Sequence, residues 1–91
     1  MKTSENNTDR KRGSTAPDEA YLRLVGERVR LQRVRLSMSR KVLSQASGVS
    51  ERYLAELERG TGNASLLILR KIASAMGLKV SDFVSESPER P

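Results

Sequence analysis

The chain has 91 residues, of which 36% are hydrophobic and 3% aromatic, and this suits one small domain with an aliphatic core. Seventeen Lys and Arg against eleven Asp and Glu give a formal charge of +6, which favours a polyanionic partner. The sequence has no Cys and no His, which excludes disulfides, thiol chemistry, the usual zinc sites and the commonest general base. We therefore expect a binding protein that needs no cofactor, rather than an enzyme.

The start of the chain is polar and basic. Residues 1–17 include three consecutive basic side chains and show no apolar periodicity, which predicts a disordered basic arm. If the polyanionic partner is duplex DNA, Arg10, Lys11 and Arg12 of such an arm can enter the minor groove or follow the phosphates. A solvated tail without a role on DNA is the alternative. The arm lacks the apolar segment of a secretory signal, and no membrane-spanning stretch follows, so the expected location is the cytoplasm.

Helical spacing of apolar residues begins after the arm and predicts a first helix over residues 19–36. Asp18 and Glu19 fall in its first turn, where the helix dipole favours acidic side chains. The apolar residues that recur along this helix are Tyr21, Leu22, Val25, Val29 and Leu36.

Two short helices follow, each between a serine that can cap a helix and a glycine that can end one. Ser39 and Gly48 bound the helix predicted over residues 40–47, and Ser50 and Gly60 bound the helix predicted over residues 51–59. The side chains expected to face inward are Val42, Leu43 and Ala46 in the former and Leu54 and Leu57 in the latter.

The rest of the sequence predicts one longer helix and one short helical turn. Ser65 can cap a helix that runs through Met76, and residues 81–84 are typical of a single turn. The predicted buried stripe of the longer helix is Leu66, Leu69, Ile72, Ala73 and Met76. Residues 85–91 are interpreted as a linker or frayed C-terminus, so the expected fold is all-α with one domain at residues 18–84.

The two short helices and the glycine turn between them have the proportions of a helix-turn-helix. In that motif one helix braces against the DNA backbone while the next enters the major groove. The groove is about 12 Å wide and admits one helix of about 10–12 Å diameter. Residues 51–59 are short and polar on one side, so the sequence predicts sequence-specific binding to double-stranded DNA through this helix.

The outward side of residues 51–59 supplies the candidates for base recognition. Because Leu54 and Leu57 face inward, the side chains left outside are Glu51, Arg52, Ala55, Glu56 and Arg59. Arginine can bind guanine O6 and N7, and glutamate can accept a hydrogen bond from cytosine N4. An ordinary solvated surface with an i,i+4 pair between Arg52 and Glu56 is the alternative.

Ser50 and Tyr53 are the candidates for phosphate contacts on the same helix. Ser50 stands at the helix N-terminus, and the phenol hydroxyl of Tyr53 can donate to a phosphate oxygen. A half-buried packing role is the alternative for Tyr53.

Short motifs in a fixed order run between residues 22 and 84: Gly26-Glu27-Arg28-Val29-Arg30, Met38-Ser39-Arg40, Gly48-Val49-Ser50, Tyr53-Leu54, Leu57-Glu58-Arg59-Gly60 and Ile72-Ala73-Ser74-Ala75-Met76-Gly77. Together they resemble the Cro and phage-repressor (XRE-type) family. The resemblance implies a compact five-helix, lambda-repressor-like domain of a transcriptional regulator, in particular a repressor. It also implies a homodimer on a palindromic or near-palindromic operator.

The resemblance further implies roles for individual residues. Glu51, Arg52 and Glu56 occupy base-contact positions. The implied phosphate contacts outside that helix are Ser39, Arg40, Thr61 and Asn63, with a plain turn as the alternative for the loop at residues 61–63. Arg40 replaces the family's usual Gln, and its guanidinium is expected to grip a phosphate. Ser37 replaces a common Gly at an expected small cost.

Arg33 and Glu58 occupy positions where the family often has a partly buried ion pair. The resemblance therefore implies a structural pair that ties the first helix to the third, because the loss of one partner would strand a buried charge.

A finer resemblance links residues 50–58 and 62–65 to the N-terminal domain of benzoyl-CoA-responsive regulators. It implies a covalent shikimate-kinase-like effector domain that these 91 residues do not include, with residues 85–91 as the start of a linker. A different class of function also uses the same fold, namely an antitoxin-like protein-interaction module. Such a module is expected to carry an apolar extension, whereas residues 85–91 are short and polar.

Overall fold

A computed structural model describes residues 16–86. In this range the chain forms five helices and no strand, α1 (Ala16–Arg35), α2 (Arg40–Ser47), α3 (Glu51–Arg59), α4 (Leu66–Ala75) and α5 (Ser81–Val84). The predicted all-α, five-helix class is confirmed. Arg10, Lys11, Arg12 and the last five residues of the predicted linker lie outside the described residues. No helix between residues 16 and 86 combines the length and apolar character that crossing a membrane requires.

The first helix begins earlier than predicted. α1 starts at Ala16 rather than at residue 19, so Ala16 and Pro17 belong to the helix and not to the predicted arm. Proline is tolerated in the first turn because a backbone N–H has no intrahelical partner there. Asp18 and Glu19 occupy the same turn, where their charge complements the helix dipole.

The end of α1 places Ser37 in a left-handed backbone conformation, with a φ of 59°. Met38 N–H donates to Arg33 C=O at 3.0 Å, and Ser37 N–H donates to Val34 C=O at 2.9 Å. This pair of hydrogen bonds is a Schellman motif, whose left-handed position is usually glycine. The replacement of glycine by Ser37 therefore carries a backbone cost at the turn that leads into α2.

We expect Ser37→Gly to stabilise the fold. A left-handed residue with a Cβ costs about 1–2 kcal/mol, and the larger chain entropy of unfolded glycine offsets about 0.5–1 kcal/mol of the gain. The net rise in the free energy of unfolding should be about 0.5–1 kcal/mol, measured by urea denaturation. An unchanged or lower value would show that the Ser37 side chain compensates for its backbone.

Serine caps begin α2, α3 and α4 as predicted. Ser39 Oγ accepts a hydrogen bond from Val42 N–H at 3.0 Å, Ser50 Oγ from Tyr53 N–H at 3.0 Å, and Ser65 Oγ from Ile68 N–H at 3.1 Å. The predicted bounds of α2, α3 and α5 are confirmed, and α4 ends one residue early, at Ala75.

The core draws on every helix. Its largest fully buried side chains are Val29 from α1, Leu43 from α2, Leu54 from α3, Ile72 from α4 and Phe83 from α5. The other buried hydrophobic residues are Val25, Val49, Leu57, Leu69, Ala73 and Met76. This single cluster fixes α2 and α3 relative to α1 and α4.

Three predicted core residues lie outside the core, and so does one apolar residue at the end of the predicted first helix. Val42 is 47% exposed and Ala46 is also exposed, because they share the side of α2 that faces away from α3 and α4. Leu66 is 72% exposed because it is the first residue of α4 and lies at the edge of the bundle. Leu36 is 48% exposed because α1 ends at Arg35. One leucine, Leu43, therefore provides the buried anchor of α2.

The short α5 closes the bundle against α1. Arg28 donates from Nη1 to Phe83 C=O at 3.1 Å and to Ser85 C=O at 2.6 Å, and the Tyr21 hydroxyl donates to Val84 C=O. These bonds satisfy carbonyl groups at the end of α5 that have no helical partner. They hold Phe83 in the core.

Candidate nucleic-acid interface

The third helix has one buried side and one polar outward side. Leu54, Leu57 and Glu58 are buried, and the start of the helix is held by the Ser50 cap. Of the predicted base-reading residues, the structure leaves Glu51, Arg52 and Arg59 exposed and makes Ala55 and Glu56 half-buried. α3 thus presents a short polar surface that is supported from behind by the core.

Arg52 lies almost fully in solvent on this surface, with a side chain that is 90% exposed. Its Nε lies 3.6 Å from Glu56 Oε2, which is the i,i+4 pair of the alternative interpretation. An exposed pair of this kind contributes only about 0.3–0.5 kcal/mol, so it can exchange for a contact with a base at little cost.

Glu58 is the buried charge behind α3, and Arg33 from α1 neutralises it. Arg33 Nε donates to Glu58 Oε2 at 2.7 Å, and Arg33 Nη2 donates to Glu58 Oε1 at 3.0 Å. Arg33 Nη1 also donates to Met38 C=O at 2.8 Å. The two side chains are 12% and 1% exposed, so this bidentate pair ties the end of α1 to α3 and to the turn before α2.

Arg40 joins the same carboxylate, a contact that the sequence interpretation did not include. Its Nε donates to Glu58 Oε1 at 3.2 Å while 42% of its side chain stays exposed. Sequence reasoning assigned Arg40 to a phosphate alone. No pattern in the sequence marks the pair, because residues 40 and 58 meet only when α2 packs against α3.

Tyr53 organises the loop between α3 and α4. Its hydroxyl donates to Asn63 C=O at 2.9 Å and accepts from Ser65 N–H at 3.3 Å. The phenol proton is thereby used inside the protein, which favours the structural role of Tyr53 over the phosphate contact. Thr61 Oγ1 likewise donates to Glu56 C=O at 3.1 Å, so this hydroxyl caps the end of α3.

The exposed polar groups beside α3 include the two cap serines and the loop. In Ser39 and Ser50 the hydroxyl oxygen accepts the capping hydrogen bond, and a hydroxyl group can donate one more. Both serines are exposed, as are Thr61 and Asn63. The helix N-termini and the loop therefore flank the polar surface of α3.

A separate ion pair lies on the surface of α1. Arg30 donates to Glu27 from Nε and Nη2 at 3.2 Å each. The hydrogen bond from Arg30 lowers the pKa of Glu27, and the same bond raises the pKa of Arg30. Because the Glu27 pKa is lowered on folding, any stability from this pair is present above the ordinary pKa of glutamate and is lost as the pH falls through the folded value.

Comparison with known proteins supports a DNA-binding fold. The family model described as Helix-turn-helix matches residues 29–83, more than half of the chain. The chain is 36% identical over 62 residues to the immunity repressor protein of Bacillus phage phi105, covering 68% of this chain and 43% of that protein. It is 30% identical over 69 residues to an uncharacterised HTH-type transcriptional regulator of Sinorhizobium fredii, covering 76% and 90%.

Solved structures give the same result. A restriction-modification controller protein of Aeromonas hydrophila is 31% identical, with a TM-score of 0.68 over 70% of this chain and 97% of that one. An HTH-family transcriptional regulator of Vibrio cholerae is 27% identical, with a TM-score of 0.72 over 78% of this chain and 40% of that one.

The chain spans less than half the length of the first curated relatives that it matches, at 43% to 46%. It spans most of the Sinorhizobium fredii regulator and of the Aeromonas hydrophila controller protein, at 90% and 97%. The predicted resemblance to phage repressors of the XRE type is confirmed at the level of the family. The chain belongs to the helix-turn-helix family, whose members here include transcriptional regulators and a phage repressor.

Proposed function

We propose that this module represses transcription by binding a specific operator in duplex DNA, with α3 in the major groove. The observation that carries the proposal is the polar outward surface of α3, supported from behind by Leu54, Leu57 and Glu58. A helix with one rigidly packed side and one exposed polar side meets the requirements for insertion between two phosphate backbones.

Base recognition falls to the side chains on the outward surface of α3. Arg52 is the candidate for a bidentate contact to guanine, and Glu51 and Glu56 are the candidates for cytosine N4. The half-buried Ala55 can contact a thymine methyl group, and Arg59 extends the surface at the helix end. The acidic residues support this assignment because a carboxylate close to phosphates is favourable only if it meets a base donor.

Phosphate contacts come from the elements beside α3. The candidates are Ser39, Arg40, Ser50, Thr61 and Asn63, with Arg10, Lys11 and Arg12 of the basic segment outside the described residues. Tyr53 supports the loop in this scheme. These contacts position the module, whereas the contacts of α3 select the sequence.

The proposal includes a homodimer on a palindromic or near-palindromic operator. It also includes a location in the cytoplasm, where bacterial DNA lies. Two copies of α3 would read half-sites about one helical turn apart, about 34–36 Å along the duplex. Repression rather than activation is supported by the similarity to a phage immunity repressor.

Arg52→Ala tests the proposal once an operator has been selected from genomic DNA. Loss of a bidentate contact to guanine costs about 1–3 kcal/mol of discrimination, so operator affinity should fall about tenfold or more. The melting temperature should stay unchanged because Arg52 is 90% exposed. The measurement is a binding titration on the operator and on an unrelated duplex.

Arg35→Ala is the matched control, because it removes the same charge from the exposed end of α1. Equal losses in the two variants would mean that Arg52 acts only through its charge and that α3 does not read bases. A module that acts purely through protein interaction would select no operator at all.

We further propose that the module belongs to a benzoyl-CoA-responsive regulator whose effector domain lies outside these 91 residues. The run of residues 50–58 with residues 62–65 supports this.

Under this proposal the 91-residue chain should bind its operator with the same affinity in the presence and absence of benzoyl-CoA. Isothermal titration of the chain with benzoyl-CoA should give no heat of binding. Binding of benzoyl-CoA to these 91 residues would overturn the assignment of the ligand to an effector domain.

A further inference from the structure

The carboxylate of Glu58 is shared by two guanidinium groups. Arg33 bonds to both of its oxygens, at 2.7 Å and 3.0 Å, and Arg40 Nε bonds to Oε1 at 3.2 Å. One negative charge therefore faces two positive charges, and the cluster keeps a net charge of about +1. A cluster with an excess cation in a partly buried position favours a further anion.

The excess charge lies at the surface, on Arg40. The side chains of Glu58, Arg33 and Arg40 are 1%, 12% and 42% exposed, respectively. Arg40 opens α2 beside Lys41, and the first turn of this helix contains no acidic residue. An anion can therefore reach the cluster only at Arg40, on the side where α2 begins.

The contact with Glu58 uses one edge of the Arg40 guanidinium. Nε is bonded to the carboxylate, and among residues 16–86 neither Nη group has a hydrogen-bond partner. The remaining fork of two Nη groups has the geometry that binds two oxygens of a phosphate at once. A side chain already held at Nε loses less rotamer freedom when it binds than a free arginine does.

From this geometry we infer that Glu58 is a positioning residue for DNA binding, which holds Arg40 so that its Nη fork grips a backbone phosphate. The inference rests on the proposed function and adds to it a link between the fold and the grip on DNA. The Glu58 carboxylate, which binds Arg33 and so holds α1 to α3, also orients the Arg40 guanidinium that would bind α2 to the duplex. A residue with a purely structural role would stabilise the fold without affecting any one phosphate contact.

The first test measures operator affinity across a salt series for the full chain, Arg40→Gln and Arg35→Gln. Each lost phosphate contact lowers the magnitude of the slope of log K against log salt by about 0.9. Arg40→Gln should lower this magnitude by about 0.9 for each protomer on the DNA and weaken binding about tenfold. Arg35→Gln removes the same charge away from the cluster and should keep the slope. An unchanged slope for Arg40→Gln would overturn the inference.

The second test separates positioning from charge. Arg40→Lys keeps the positive charge, but the lysine ammonium cannot bond Glu58 with one edge and a phosphate with the other, as a guanidinium can. We therefore expect the variant to have the same salt slope as the unsubstituted chain and to bind the operator several-fold more weakly. Affinity equal to that of the full chain would show that a point charge suffices and would overturn the role of Glu58. This variant leaves the Arg33–Glu58 pair intact, so its readout does not depend on a destabilised protein.

The third test is a double-mutant cycle of Glu58→Gln and Arg40→Gln on operator affinity. If Glu58 acts through Arg40, Glu58→Gln should change the affinity of the full chain and leave that of Arg40→Gln unaltered. Equal changes in both backgrounds would overturn the inference. Two other results would count against the proposed function itself. One is an unsubstituted chain that prefers no operator, and the other is an Arg52→Ala variant that binds the operator as well as Arg35→Ala does.

Discussion

Glu58→Ala is expected to lower the free energy of unfolding by about 3–5 kcal/mol, because it leaves buried guanidinium charge without a counterion. Arg33 is only 12% exposed and has lost both of its carboxylate contacts in this variant. In a domain of this size the melting temperature should fall by about 12 °C or more. Thermal denaturation followed by circular dichroism measures the shift.

Glu51→Ala is the control for this prediction, since Glu51 is an exposed acid in the first turn of the same helix. It removes one favourable contact with the helix dipole, which costs about 0.3–1 kcal/mol. Equal melting temperatures for the two variants would mean that the Arg33–Glu58 pair does not hold α1 to α3.

Gly26→Ala should be the second strongly destabilising change, because the backbones of α1 and α3 lie close together at this residue. A Cβ at position 26 would lie 2.1 Å from Leu57 C=O and 3.0 Å from Glu58 C=O. Both atoms belong to the backbone, so the helices must separate to admit the methyl group. Overpacking of this kind costs about 1–3 kcal/mol or more, which exceeds the gain of about 1 kcal/mol in helix propensity.

The expected outcome for Gly26→Ala is a net loss of about 2 kcal/mol in the free energy of unfolding by urea, which is the upper end of the overpacking cost less the gain in helix propensity. Gly48→Ala is the matched control, because nothing lies within 4 Å of a Cβ at position 48 and only its φ of 78° opposes the change. That control should lose about 1 kcal/mol. A Gly26→Ala variant as stable as the parent would contradict the close contact between α1 and α3.

The helix bounds were accessible from the sequence where the signals are local. The Ser39, Ser50 and Ser65 caps act within three residues, and Gly48 ends α2 through its own left-handed conformation, so these signals do not depend on the rest of the fold. The start of α1 was missed because Pro17 was interpreted as part of the arm, whereas proline fits a first helical turn.

The side that each helix buries was less accessible, because burial depends on what packs opposite. Val42 and Leu66 fit a helical stripe by spacing, yet both are exposed among residues 16–86. The outward surface of α3, which we propose reads bases, could be outlined because Leu54 and Leu57 fix the inner side of the helix. The contact between Arg40 and Glu58 could not be predicted from the sequence, since it joins side chains 18 positions apart.

Methylation interference on the selected operator tests the placement of α3 in the major groove most directly. Dimethyl sulfate modifies guanine N7 in the major groove and adenine N3 in the minor groove, so one treatment reports on both. If Arg52 binds a guanine, N7 methylation at one guanine of each half-site should block binding of the full chain. The same methylation should make no difference to the residual binding of Arg52→Ala. Interference confined to adenine N3 would contradict a major-groove α3, and N7 interference that is the same in both proteins would contradict the contact between Arg52 and guanine.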